Sequence, residues 1–232
     1  MIEEETFPEK FEETVLQQIY KGKGSRLELG NNRYIHIKDW LPRTCDSLIV
    51  NKMKPCILSA SSIFQIGGQA GHRTQEHLFT VRSVAALKLS QGQGIMLQIY
   101  DIKRFFDKEN MRDVMNTLDE IGVNRKAYRT WFLLNQKTRI AVKTSVGMTG
   151  ECDVGEVVGQ GTIGGALVSQ LNVDRGLGEY FAGSSDEATY GSVRLQPVAF
   201  QDDILRLSVD VMSARVGNIK LNGLMEDKQL DL

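Results

Sequence analysis

A chain of 232 residues with 41% hydrophobic content is long enough for one large domain or two closely packed subdomains around a real core. No apolar run approaches the ~18 residues of a membrane span and nothing resembles a secretory leader. The three cysteines, Cys45, Cys56 and Cys152, are odd in number and lack paired metal spacing, so they read as reduced thiols in an intracellular protein, nuclear or cytoplasmic. The net charge of −1 conceals an asymmetry. Six Glu and one Lys give residues 1–20 a charge of −5, while eleven Lys and Arg against four acids give residues 21–95 a charge of +7. A basic half beside an acidic one suits a polyanionic strand, although an ordinary solvated surface would read the same.

Pro8 opens a predicted helix over 8–20, with Phe11, Val15, Leu16 and Ile19 on one face. A turn at Lys21-Gly22-Lys23-Gly24 leads into short strands around 27–37, and 40–53 reads as a loop, broken by Pro42, and then a helix. The glycines over 67–71 mark a flexible stretch, a helix runs from Thr74 to about Leu89, and Gln91-Gly92-Gln93-Gly94 marks a subdomain boundary. An apolar strand over 95–101 ends in Asp101, and 108–121 has helical spacing through Met111, Val114, Met115 and Leu118. Residues 125–136 form another predicted helix, 139–146 and 153–158 a hairpin turning over 147–152, and 162–181 a helix despite its glycines. A last strand pair flanks Asp202 and Asp203, followed by an amphipathic helix over about 209–230.

The chemistry gathers at the acids. In Val198-Ala199-Phe200-Gln201-Asp202-Asp203-Ile204-Leu205 two adjacent carboxylates lie between apolar runs, which reads as a β-hairpin with both acids at its tip. A divalent cation would remove their mutual repulsion; a plain polar turn would give the same string. Asp101, at the end of its own strand, can converge on that tip. Such a set is what two-metal phosphoryl or nucleotidyl transfer needs, with carboxylates bridging two Mg²⁺ about 3.5–4 Å apart.

The ordered motifs resemble the polymerase domain of reverse transcriptases, most closely those of non-LTR (LINE-type) retrotransposons. Tyr100-Asp101-Ile102-Lys103-Arg104-Phe105-Phe106-Asp107 is similar to motif A, Gly159-Gln160-Gly161-Thr162-Ile163-Gly164-Gly165 to motif B, and Phe200-Gln201-Asp202-Asp203 to motif C. Upstream, Lys21-Gly22-Lys23-Gly24 and Asn32-Arg33-Tyr34-Ile35 resemble the fingers hairpin, and the segment from Gly67 to Phe79 resembles the link between fingers and palm. The resemblance implies an α+β right-hand polymerase fold, its antiparallel palm sheet packed on helices. Partial fingers and a connecting helix would occupy 1–94, and a palm with motifs A, B, C and part of D would occupy 95–232. Past Lys228-Gln229-Leu230-Asp231-Leu232 the family continues with a general-acid lysine, the primer grip and the thumb. The expectation is therefore a truncated copy with weak, non-processive synthesis at best, or no activity alone.

The resemblance also implies roles. Asp101, Asp202 and Asp203 would be the catalytic metal ligands for Mg²⁺, with Mn²⁺ as a substitute. Asp203 has the weakest claim, because neighbouring strand residues point to opposite sides. Phe106 would exclude a ribose 2′-hydroxyl, and Asp107 lies one residue beyond the place where RNA polymerases carry a second Asp. Gln160 and Gly161 would meet the incoming nucleotide, and Arg33 would grip its triphosphate with Lys23 or Lys21. Arg73 would touch the nucleic-acid backbone, and Gly164 and Gly165 would leave a helix face bare for the template. The implied partners are an RNA template, a DNA primer and deoxynucleoside triphosphates, with no membrane.

Two alternatives compete. Gly159-x-Gly161-x-x-Gly164, with Glu179 twenty residues after Gly159, satisfies a dinucleotide-binding fingerprint, but the strand that should present the acid is missing. The second alternative is a catalytically inactive retroelement-derived fragment that binds nucleic acid or a partner. His72 and His77 read as surface or helix-cap residues.

Overall fold

The computed structural model describes residues 2–103, 105–106, 109–155, 158–184, 187–228 and 230. The elements begin with β1 (Glu13–Tyr20), β2 (Asn32–Ile37), α1 (Trp40–Ala60), α2 (Thr74–Ser90), β3 (Met96–Asp101), α3 (Met111–Glu120) and α4 (Arg125–Asn135). They continue with β4 (Thr138–Thr144), β5 (Gly147–Met148), β6 (Cys152–Val154), α5 (Gly165–Ala182), β7 (Thr189–Tyr190) and β8 (Val193–Arg194). β9 (Val198–Phe200), β10 (Asp203–Ser208) and α6 (Val211–Asp227) complete a mixed helix-and-sheet fold. Contacts divide the chain into two compact units, each drawn from two stretches: Met1–Ser59 with Glu109–Val168, and Ala60–Lys108 with Ser169–Leu232. Among the described residues no helix is long and apolar enough to cross a membrane.

The first unit carries a sheet in the order β2-β1-β4-β5, with β6 also paired to β4. β1 is antiparallel to β2 (Val15↔Ile37) and parallel to β4 (Leu16↔Val142). This corrects the helix expected over 8–20, of which only a single 3-10 turn at Glu9–Glu12 forms. Thr14, Val15 and Ile19 are β-branched and Tyr20 is aromatic, all suited to a pleated surface. Pairing on both edges then overrides an apolar spacing that fits either period. α1 starts at Trp40, so the loop expected at the start of 40–53 is helix instead, because Pro42 sits in the first turn, where its missing N–H has no intrahelical partner to lose. The hairpin expected downstream forms between β4 and β6 (Ile140↔Cys152); residues 156 and 157 of its second strand lie outside the described residues. α3 and α4 are capped by Asn110 and Asn124, touch each other, and bury Met111, Val114 and Leu118 on one and Tyr128, Trp131 and Leu134 on the other.

The second unit is built on an antiparallel sheet in the order β3-β10-β9. Its core joins Ile102, Phe105, Ala199 and Ile204 to Val173, Leu177 and Tyr180 of α5 and to Leu221 and Met225 of α6. Val84 of α2 packs with Ala188 and Leu207 in a second cluster. α2 begins where expected, and its third residue, Glu76, accepts a hydrogen bond from the Arg73 backbone N–H at 2.9 Å. His72 is exposed and lies 2.9 Å from Glu76, which holds that carboxyl below its usual range; His77, expected at the surface or as a helix cap, is buried.

Asp174 of α5 is buried, and its Oδ2 accepts a hydrogen bond from the Ser62 backbone N–H at 2.6 Å. Burial pushes its carboxyl up to about 6 from an ordinary 3.8. The folded value lies above the unfolded one, so the protonated side chain favours folding, and that stability is lost as pH rises from the unfolded value through the folded one. The swing amounts to roughly 3 kcal/mol and is complete above the folded value. Asp174→Asn keeps an acceptor without the charge. Urea unfolding at pH about 4 and about 8 should therefore show the variant more stable than the parent only at the higher pH. A difference between the two proteins that does not change with pH would contradict this account.

Candidate functional site

β3 and β10 run antiparallel with Asp203 directly opposite Asp101, Ile204 opposite Tyr100 and Arg206 opposite Gln98. Directly opposed residues project on the same face, so Asp101 and Asp203 share one face of the ladder, and both are exposed. The opposite face of β10, with Ile204, Arg206 and Ser208, is fully buried. Phe200 pairs with Asp203, which leaves Gln201 and Asp202 as a two-residue hairpin turn. Both acids thus sit at a hairpin tip, as the apolar–acid–apolar string implies.

One detail differs from the expectation. β10 begins at Asp203, so Asp202 belongs to the turn, and the residue brought against Asp101 is Asp203, which the alternation argument ranked last. Asp202 is half-buried, and its carbonyl accepts a hydrogen bond from the Ile102 N–H at 3.1 Å, which extends the ladder by one step.

Facing carboxylates on adjacent strands repel, at a cost of roughly 0.2–1 kcal/mol that a bound cation would remove. Hard carboxylate oxygens are the donors that Mg²⁺ and Mn²⁺ favour, and in donor chemistry the set fits. Its convergence is incomplete: among the described residues no three His, Cys, Asp or Glu side chains gather into a group that could hold a metal ion.

Phe105 is buried in the core; Phe106 is half-buried against it, with ring centroids 5.0 Å apart at 60°. Asp107 lies outside the described residues, as do Gln229, Asp231 and Leu232 of the C-terminal segment. Arg73 is exposed at the N-cap of α2.

The remaining predicted residues belong to the first unit. Arg33 is exposed on β2 opposite Ile19, and Lys23 is exposed in the preceding loop, where Lys21 donates instead to the Gly30 carbonyl at 3.0 Å. The Gln160 carbonyl accepts a hydrogen bond from the His36 N–H at 2.8 Å. Gly161 has φ +98°, and a Cβ there would come 2.8 Å from Ile35 Cγ2, so the turn needs glycine on both counts. At Gly164 the space for a Cβ is filled by Trp131 and Val50, and at Gly165 by Thr162 and the Gly159 carbonyl. The bare surface expected at these two glycines is taken up by packing inside the unit. β6, which precedes this turn, is antiparallel to β4, which removes the βαβ setting that the dinucleotide fingerprint requires.

Asp46 escaped the sequence reading. It is buried, and its Oδ2 accepts from the Ile163 and Gly164 N–H groups at 3.2 and 3.4 Å, tying α1 to the motif-like turn. Burial pushes its carboxyl up, opposed by the charge of Lys38, whose own ammonium is pushed down by burial. The available signal was an acid within the apolar stripe Cys45, Ile49, Val50 and Met53 of one helix.

The fold is similar to that of telomerase chains of known structure. The sequence matches no family model and no curated protein. Among solved structures it is similar to apo telomerase from Candida tropicalis truncated from its C-terminal domain (TM-score 0.57, 13% identity, 96% of this chain and 49% of that one). It is likewise similar to telomerase from Candida albicans in complex with a TWJ fragment of telomeric RNA (TM-score 0.55, 12% identity, 95% of this chain and 41% of that one). At these identities the likeness is one of fold, and the chain spans less than half of either telomerase chain.

Proposed function

We propose that this chain is the fingers-palm portion of a reverse transcriptase of the non-LTR retrotransposon type, with fingers over 1–94 and palm over 95–232. Its activity is DNA synthesis on an RNA template by nucleotidyl transfer. The observation that carries the reading is the register of β3 on β10, which sets Asp101 against Asp203 at a two-residue hairpin tip within a reverse-transcriptase-like fold.

Asp101, Asp202 and Asp203 would hold Mg²⁺ or Mn²⁺. When bound, the ions supply positive charge that makes the primer 3′-hydroxyl a better nucleophile and offsets charge on the departing pyrophosphate. The chain's own contribution is to hold the carboxylates at the tip. Phe106 is braced by Phe105 as a rigid wall suited to excluding a 2′-hydroxyl. Arg33, a planar bidentate donor, and Lys23 would bind triphosphate. Gln160 and Gly161 would contact the nucleotide, supported by the close packing of Gly164 and Gly165, and Arg73 would contact nucleic-acid backbone.

A second reading, an inactive retroelement-derived fragment that still binds nucleic acid, is favoured by the incomplete gathering of acids among the described residues. Extension of a DNA primer on an RNA template, with Mg²⁺ and with Mn²⁺, separates the two. The polymerase reading expects metal-dependent incorporation by the parent that vanishes in a folded Asp202→Asn variant still able to bind template-primer. Folded parent protein that binds template-primer and yields no product would support the second reading.

A further inference from the structure

The turn that carries the acids is held in an unfavourable conformation. Gln201 has φ +58°, the left-handed region that a non-glycine residue seldom enters, and its neighbours are Asp202 and Asp203. Something must over-determine that backbone. The segment just before the glycine-rich stretch does so. Phe64 to Gly67 lies alongside β9 as a short parallel bridge at Gln65↔Ala199, with the Ala199 N–H donating to the Phe64 carbonyl at 2.7 Å and the Ile66 N–H to the Ala199 carbonyl at 3.2 Å.

From that bridge the Gln65 side chain, fully buried, reaches the turn. Its Oε1 accepts from the Gln201 N–H at 3.1 Å and from the Gly67 N–H at 3.1 Å, while its Nε2 donates to the Gln201 carbonyl at 3.3 Å. The amide orientation is fixed by these partners, since a flipped group would set N–H against N–H. Both backbone polar groups of the strained residue are thus met by one side chain. Gly67 completes the cradle, because a Cβ there would collide with the Gln201 backbone nitrogen.

We propose that Gln65 is a positioning residue for the Asp202–Asp203 carboxylates, clamping the left-handed Gln201 turn through both of its backbone hydrogen-bonding groups. That the clamp serves catalysis rests on the polymerase reading; that it fixes the turn does not. Asparagine would be too short to reach, leucine would fill the space without hydrogen bonds, and glycine at 201 would accept φ +58° without a clamp.

The test compares the parent with Gln65→Leu and with Gln65→Leu/Gln201→Gly, each shown to be folded. Should Gln65→Leu fail to fold, Gln65→Asn takes its place. Hydrogen exchange at Gln201 and Asp203 should quicken by at least about 10-fold in Gln65→Leu while α6 amides keep their protection. Mn²⁺ affinity, read by electron paramagnetic resonance, should fall by about 10–100-fold. In primer extension kcat should fall by up to about 10²-fold with little change in the KM for nucleotide, and Gln201→Gly should restore part of each loss. Unchanged exchange at the tip, or equal quickening in α6, would overturn the proposal. Should the parent neither extend primers nor bind Mn²⁺, the polymerase reading falls, and the exchange comparison still decides whether Gln65 holds the turn.

Discussion

Asp101→Asn is expected to act on stability and activity in opposite directions. Without metal the variant should be more stable than the parent by about 0.2–1 kcal/mol, because it removes one of two like charges placed directly opposite each other. RNA-templated primer extension should fall by at least about 10²–10³-fold, since one of the facing carboxylates that position positive charge is gone. Saturating Mg²⁺ should then reverse the stability order. An ion that binds only the folded state stabilises the parent by mass action, and the variant has lost a ligand. Asp203→Asn should behave the same way. Thermal melts with and without Mg²⁺, run beside the extension assay, read all of this. Loss of stability in metal-free Asp101→Asn would show that the two carboxylates do not repel as their register implies, and retained extension would remove Asp101 from the chemistry.

The parts of this arrangement visible in the sequence are those that depend on short stretches of chain. The hairpin tip at Gln201 and Asp202 follows from an acid pair between apolar runs, and α2, α4 and the strand ending at Asp101 follow from local periodicity. β1 was illegible for a definite reason. Phe11, Val15, Leu16 and Ile19 satisfy a helical stripe, and only the pairing of that segment with β2 and β4, far apart in sequence, decides for a strand. The choice of Asp203 over Asp202 as the partner of Asp101 needed the location of the turn, because the start of β10 fixes which residues alternate together. Gln65 carries no local signal at all. It is a polar residue beside a glycine pair, and its importance appears only when the Gln201 backbone, distant in sequence, closes onto its amide. The glycines of the 159–165 turn were recognised, but as surface for a ligand; Trp131 and Val50 occupy the space at Gly164 through helices that no local pattern places there.

The register that faces Asp203 with Asp101 has its own guardian, and losing it should be strongly destabilising to the second unit. Arg206, opposite Gln98 on the buried face, is fully buried. Its Nη1 donates to Gln98 Oε1 and to the Ala214 carbonyl, and its Nη2 to the Ser213 carbonyl at 3.2 Å, so one guanidinium joins β10, β3 and the start of α6. Its charge is met by buried Glu187, with Nε 3.8 Å from Oε1, and Ser184 Oγ donates to the same carboxylate oxygen at 2.6 Å. Arg206→Met should cost about 3–5 kcal/mol, mostly because Glu187 is left buried with Arg194, 3.9 Å away, as its remaining ion-pair partner among the described residues. Adding Glu187→Gln should then cost less than it does in the parent, with a coupling of about 0.5–3 kcal/mol in a double-mutant cycle. A one-residue slip of β10 would turn Asp203 toward the core and Ile204 outward, so the ion pair specifies which face the acids occupy. Arg206→Met should accordingly speed hydrogen exchange along β3 and β10 together. Additive costs in the cycle, with exchange altered only at position 206, would mean that apolar packing of Ile204 and Leu207 sets the register without help from the charge.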